Sequence, residues 1–314
     1  MTGHRESRAA PGTPRARRPG LLGFRISPTE STGVDWSRLN ETWALAGESP
    51  ALDAGWLSDH LSDASRERGG PAVESLTAAA ALAHRVPGKW IGIAVLSGTF
   101  RHPALVAKSA TVIDQATGGR FILGLGAGWH DGEHEAFGIS LPPIVERFDR
   151  FERGVRTIAA LLSDAARSEP GVTIDDPIFP LRAATNEPPP TRPGGPPIWI
   201  GGQRRRGIAL AVRYAEGWPM PGNRPGDVAY FSDRRDALRR ALAEGGRDPD
   251  DFTFAAQLSC GRTAAERSAA REVAGRLIDA GANHVMLGLP ASVAPDGLAD
   301  LIREVAEPLR STFG

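Results

Sequence analysis

The chain has 314 residues, 41% of them apolar, enough for one large domain with a sizeable core. Lys plus Arg and Asp plus Glu both number 37, so a formal net charge of zero gives no electrostatic pull toward nucleic acid or an anionic membrane. A single cysteine, Cys260, excludes an intrachain disulfide and a multi-thiolate metal site, and no apolar run approaches the roughly 18 residues of a membrane helix.

Residues 1–20 stand apart: five arginines (Arg5, Arg8, Arg15, Arg17, Arg18), three prolines and one acid predict a disordered basic tail. The Arg17-Arg18 pair is followed only by Leu21-Leu22-Gly23-Phe24, too short an apolar core for an export signal, and a cytoplasmic location is expected. From residue 21 the pattern alternates. A strand is predicted at 21–26 and a helix at 39–47, then strand 54–58 and helix 74–84, strand 90–96 and helix 104–116, strand 120–125 and helix 148–162. The second half continues with strand 197–201 and helix 204–215, strand 217–220 and helix 227–243, strand 252–257 and helix 264–280, strand 284–289 and helix 296–309. Eight buried strands alternating with amphipathic helices predict an α/β fold, a (β/α)8 TIM barrel over residues 21–314. The Pro- and Gly-rich stretch 163–196, with one strand-like piece at 172–179, is expected as an insertion over the C-terminal face.

In such barrels chemistry sits at the C-terminal ends of the strands, which selects the motifs to weigh. Asp59-His60 closes the second strand: the imidazole either exchanges a proton near neutral pH or fixes a loop through a carboxylate. Ala94-Val95-Leu96-Ser97-Gly98 ends the third strand with small residues that let a flat ring approach the backbone, and Ser97 could bond a ring heteroatom. Arg101 and His102 read as structural. Gly124-Leu125-Gly126-Ala127-Gly128-Trp129 lacks the third glycine of a dinucleotide fingerprint and follows the fourth strand, not the first; its glycines, Gly128 included, let a loop turn tightly against a ligand. His130 and His134 are spaced i, i+4, yet Gly132 interrupts a helix there and no metal site is expected; Glu133 reads as a rim carboxylate or helix cap. Gly201-Gly202-Gln203-Arg204 opens the fifth helix. It is either an anion site, with Arg204, Arg205 and Arg206 adding charge, or a tight turn with a solvated basic face.

Taken in order, these segments resemble the luciferase-like monooxygenase superfamily. The resemblance is carried by Trp56 through His60, Arg101-His102-Pro103 with Ala107-Lys108, Asp114, Gly118 through Phe121, Leu123 through Trp129 with Glu133 and Gly138, and Ile198 through Gly202 with Trp218. It covers about residues 21 to 310. The resemblance implies coenzyme F420, or alternatively FMN, seated in the barrel mouth and backed by a non-proline cis peptide at Ala94-Val95. Asp59 and Ser97 would contact the ring, Gly128 and Glu133 line the site, and Gly201, Gly202, Gln203 and Arg204 hold or flank the phosphate. His60 would supply or remove the proton that accompanies a hydride moving between deazaflavin C5 and a small organic substrate. The ending of the second strand, with Glu133, looks more like the deazaflavin branch than the oxygen-using one. Trp129, and Ala64 where related sugar-phosphate dehydrogenases carry Trp, imply a less polar substrate packed against Trp129. A monooxygenase using reduced FMN and dioxygen is the alternative, and a non-catalytic cofactor-binding barrel a second one. A homodimer is the family's usual assembly.

Overall fold

The computed structural model describes residues 19–27, 36–62 and 71–314; Ala64 and nearly all of the expected basic tail lie outside these. Strands β1 (Leu22–Ser27), β2 (Ala54–Leu57), β3 (Trp90–Ser97) and β4 (Phe121–Gly126) precede an antiparallel hairpin of β5 (Val172–Ile174) and β6 (Leu181–Ala184). Then come β7 (Ile198–Ile200), β8 (Gly217–Pro219), β9 (Thr253–Ser259) and β10 (His284–Pro290). The eight strands outside the hairpin close into a barrel in the order β1-β10-β9-β8-β7-β4-β3-β2, every pair parallel. All eight expected barrel strands are present, within one or two residues of their predicted ends.

The outer ring consists of α1 (Trp36–Glu48), α2 (Ser75–Leu82), α3 (Pro103–Ala116), α4 (Asp131–Ala136), α5 (Ile144–Leu162), α6 (Arg205–Tyr214), α7 (Val228–Glu244), α8 (Ala264–Asp279), α9 (Asp296–Leu301) and α10 (Glu307–Phe313). Their starts follow local chemistry. Pro103 opens α3 behind a His102 cap, and Thr263 with Glu266 forms a reciprocal capping box on α8. The expected last helix divides into α9 and α10 around a wider turn at Ile302–Ala306. Helix α4, which Gly132 argued against, forms because the His130 side chain accepts the Glu133 N–H and acidic residues fill the first turn.

Inside the barrel Ala54, Trp56, Trp90, Ile122, Trp199, Ala255 and Met286 pack as a cluster of their own, separate from the shell between strands and helices. Bulky rings fit because facing strands carry glycine: a Cβ on Gly92 would stand 2.2 Å from the Trp56 ring, and one on Gly217 would stand 2.4 Å from Trp199. Trp56 Nε1 donates to His284 Nε2 at 2.9 Å, and His284 Nδ1 meets the Gly20 carbonyl at 2.6 Å. That polar thread closes the floor.

The insertion departs from expectation. Helices run antiparallel to the strands, so α5 ends and β7 begins on the face opposite the mouth, and the segment between them starts and finishes there. It packs along the outer flank of α3 and α5 instead of over the mouth. Asn186 Nδ2 donates to Thr111 Oγ1 and the Leu161 carbonyl, both at 2.9 Å, and Lys108 and Gln115 hold the Glu187 and Pro189 carbonyls. Ile174 and Leu181 bury in the shell, and only Phe179 reaches the lip, edge-on to His102. The predicted single piece at 172–179 is thus a hairpin, anchored by an Arg153–Asp176 ion pair.

Burial pushes the His284 imidazole down from 6.5 to about 4. Below pH 6.5 the unfolded chain takes up a proton that folded His284 refuses, so this contribution to stability is complete above 6.5 and lost as pH falls toward 4. His284→Gln, which can still accept from Trp56 and donate to Gly20, should flatten that part of the stability profile. Urea unfolding at several pH values measures it, and an unchanged slope would clear His284 of the effect.

Candidate functional site

The C-terminal end of β2 leads straight into Asp59-His60, and α4 brings Glu133 against it. Glu133 Oε2 lies 3.1 Å from His60 Nδ1, while Oε1 accepts the backbone N–H groups of Leu61 and, at 3.0 Å, Ser62. An ionised carboxylate only accepts, so Nδ1 carries the proton and Nε2 is the atom left to exchange one. Burial raises the Glu133 carboxyl, but the bonds from His60, Ser62 and Leu61 outweigh that and hold it below the ordinary carboxylate range. The Glu133 side chain is 1% exposed and the His60 side chain 18%, so the pair has a sealed end and an open end. Trp129 stands at the open end, 66% exposed, its ring edge-on to His60 with centroids 6.0 Å apart.

Asp59 turns the other way. Its carboxylate takes Ser75 Oγ at 2.6 Å, the Ser97 backbone N–H at 2.7 Å, and both arms of Arg101 at 2.8 and 2.9 Å. Every lone pair is engaged. Through these bonds Asp59 pins the end of β3 and the start of α2. Arg101 also meets Glu74, the cap of α2, so its structural reading holds.

At β3 the Ala94-Val95 peptide is cis, as the resemblance implied, and the register against β4 shifts between Ile93 and Leu96. Val95 fills the space that neighbouring glycines leave: a Cβ on Gly126 would lie 2.6 Å from it, and one on Gly201 3.2 Å. Beyond the bulge, Ser97 Oγ bonds Thr99 Oγ1 at 2.7 Å, Thr99 bonds His134 Nε2 at 2.7 Å, and His134 Nδ1 meets the His130 carbonyl at 2.7 Å. The i, i+4 histidines thus serve separate tasks, His130 as the α4 cap and His134 in this chain of hydroxyls. Gly128 has φ +84 and must be glycine, since a Cβ there would strike Thr99 and Ser97.

In the loop after β7, the Gly201 N–H is spent on the Leu125 carbonyl at 2.9 Å, and a Cβ on Gly202 would lie 2.5 Å from Gly207 Cα in α6. The two glycines are thus required by packing, and the Gly201 amide is engaged within the protein. Gln203 and Arg204, with Asn223, Arg224, Tyr230 and Arg234, line an adjoining cleft of about 300 Å³. Tyr230 OH donates to Gln203 Oε1 at 2.8 Å, fixing that amide. Arg204, Arg224 and Arg234 give this cleft a basic lining.

Residues 20–304 match the family described as luciferase-like monooxygenase. The chain belongs to that family. It is 32% identical over 222 residues to a phthiodiolone/phenolphthiodiolone dimycocerosates ketoreductase of Mycobacterium tuberculosis (strain ATCC 25618 / H37Rv), covering 65% of this chain and 56% of the relative. It is 30% identical over 210 residues to an F420-dependent glucose-6-phosphate dehydrogenase of Microbacterium testaceum (strain StLB037), covering 67% and 60%. The chain spans a little over half the length of these curated relatives. Among solved structures it is similar to an F420-dependent secondary alcohol dehydrogenase in complex with an F420-acetone adduct, with a TM-score of 0.73 at 18% identity over 92% of this chain and 98% of that one. At that identity the likeness speaks for the barrel alone.

Sequence reasoning therefore brought His60, Glu133, Trp129, Ser97 and the Ala94-Val95 bulge to one mouth. It missed Thr99, whose hydroxyl joins Ser97 to His134, and two interior residues, Arg25 and Gln257. A charged residue inside the otherwise apolar 21–26 run was the available signal for Arg25. Asp59 and Arg101 are 1% and 15% exposed in their side chains, and removing one partner of a buried pair strands the other. Asp59→Ala should cost about 3–5 kcal/mol of folding stability. Chemical denaturation reads it, and a loss under about 1 kcal/mol would contradict the pinning role.

Proposed function

We propose that this chain is a coenzyme F420-dependent oxidoreductase acting on a small organic substrate, with His60 exchanging the proton that accompanies a hydride. The observation that carries the reading is the His60–Glu133 pair at the mouth of the barrel, beside the bulge at Ala94-Val95. The residues present fit such a cofactor. Val95, hemmed in by Gly124, Gly126 and Gly201, offers a small apolar backing to a flat ring, and the Gln203–Arg204 cleft offers positive charge to an anionic tail. The F420-dependent relative adds support at 30% identity.

When bound, the deazaflavin supplies a carbon, C5, that gives or takes a hydride. The chain's own part is positional and protonic. Glu133 holds Nδ1–H of His60, which orients the ring and leaves Nε2 as the atom to exchange a proton. In the reductive direction Nε2–H gives a proton to the oxygen of a carbonyl substrate; in the oxidative direction Nε2 takes the hydroxyl proton. Trp129 provides an exposed apolar ring beside His60, suited to an organic substrate of low polarity.

Removal of a general acid–base group slows turnover by about 10²–10⁴-fold. His60→Ala should therefore lose activity on this scale while the affinity for F420, followed by fluorescence, stays within about threefold. Full activity in His60→Ala would sink the proton assignment. Turnover is to be measured without oxygen: activity that requires dioxygen and reduced FMN would mark a monooxygenase, as in the family's description. Cofactor binding without any turnover, equally in wild type and variant, would mark a carrier.

A further inference from the structure

Arg25 is a half-buried cation on the inner side of the barrel, and among the described residues its hydrogen-bond partners are neutral. It lies on β1, with Trp56 of β2 and Gly288 of β10 as its register partners, near the C-terminal end of the barrel. Its guanidinium donates to Gln257 Oε1 and, at 3.3 Å, to Ser58 Oγ. Gln257 in turn donates from Nε2 to the Met220 carbonyl, so its amide presents oxygen, and only oxygen, to Arg25. Neither partner carries charge. Among the described residues no carboxylate pairs with Arg25, and burial draws its pKa down from 12.5 to about 10 with no acidic neighbour opposing the change. The ionisable groups at the neighbouring end of β2 are committed elsewhere, Asp59 to Arg101 and His60 to Glu133. On the other flank, β10 offers Gly288 at this level, and Gln257 reaches Arg25 from two residues before Ser259, the β9 partner of Gly288; His284 lies at the far end of β10, bonded to Trp56 and Gly20.

The level of the guanidinium is informative. Ser58 lies one residue beyond the Leu57–Ile93 pair, which sets it beside Ala94, the first residue of the bulge. A guanidinium has five N–H donors in a rigid plane, and two partners leave the rest for a ligand at that level. Even a half-buried charge without a counter-charge is costly, and an anionic ligand at this level would relieve that cost.

We propose that Arg25 is an anion-binding residue for the cofactor ring, meeting the delocalised negative charge of a planar heterocycle seated against Ala94-Val95. This rests on the cofactor reading above. The chemistry is that of an ionised (deaza)flavin, whose negative charge is shared over its ring nitrogen and carbonyl groups, where a nearby cation stabilises the ionised form.

The test reads the ring and needs no turnover. Bound oxidised coenzyme F420 is titrated by absorbance, which distinguishes its ionised from its neutral ring. In the wild-type complex the ring should stay ionised to a pH at least about one unit below that of the free ligand, one unit being a tenfold difference in the interaction. Arg25→Met should abolish this shift and weaken binding of the ionised ring by about tenfold or more, and Arg25→Lys should retain most of both. The melting temperature of the ligand-free Arg25→Met protein should change little, because loss of the uncompensated charge offsets loss of the donor to Gln257 Oε1. Arg25→Gln serves in its place if the Met variant does not fold. Equal ring titration in wild type and variant overturns the role of Arg25 and leaves the cofactor reading intact. A wild-type protein that binds neither F420 nor FMN overturns that reading and this inference with it.

Discussion

The Asp59 carboxylate is the constraint on which the mouth of this barrel depends. Four donors from three segments converge on it: Ser75 at the head of α2, the Ser97 amide at the end of β3, and both arms of Arg101. A buried carboxylate must be satisfied or neutralised, and this one is satisfied only when the strand ends and the helix start stand in one arrangement. His60 inherits its position as the next residue in the chain. Ser97 inherits its position through its own amide. Both positions are thus set by one buried carboxylate.

Around that anchor, polar groups are graded by what they have left over. Glu133 is saturated by two amides and His60, so the one atom it frees is His60 Nε2. The chain from Ser97 through Thr99 to His134 ends on a backbone carbonyl, which orders the hydroxyls without bringing charge. Arg25 carries its charge to the inner side of the barrel on partners that, among the described residues, are neutral. Satisfied groups serve rigidity, whereas His60 Nε2 and part of the Arg25 guanidinium keep valences to spare.

Small residues serve two ends that a sequence alone confuses. Gly92 and Gly217 make room for Trp56 and Trp199 in the floor, and Gly202 lets the β7 loop touch α6. Gly124, Gly126 and Gly201 make room for Val95, and so shape the surface beside the bulge. A glycine in a ligand-binding loop can thus be required by a neighbour within the protein before any ligand arrives. The glycine pair after β7 shows this, since its best-supported role is packing while the basic cleft beside it supplies the charge.

Period and spacing alone determined the barrel: eight apolar runs separated by helical stretches leave few ways to bury both faces of a parallel sheet. They also placed His60, Glu133, Trp129 and Ala94-Val95 at strand ends, because where a strand stops is a local property. What they could not decide was which polar atoms would meet. Asp59 to Arg101 spans 42 residues, His60 to Glu133 spans 73, and Arg25 to Gln257 spans 232. The insertion followed the same divide. Its length and composition marked it as an excursion, but its course along α3 and α5 depended on which face of the barrel α5 ends at and on where Ile174 and Leu181 could be buried. Patterning is written in neighbours along the chain, whereas the partner of a buried charge is chosen only once closure of the barrel brings distant strand ends within a hydrogen bond of each other.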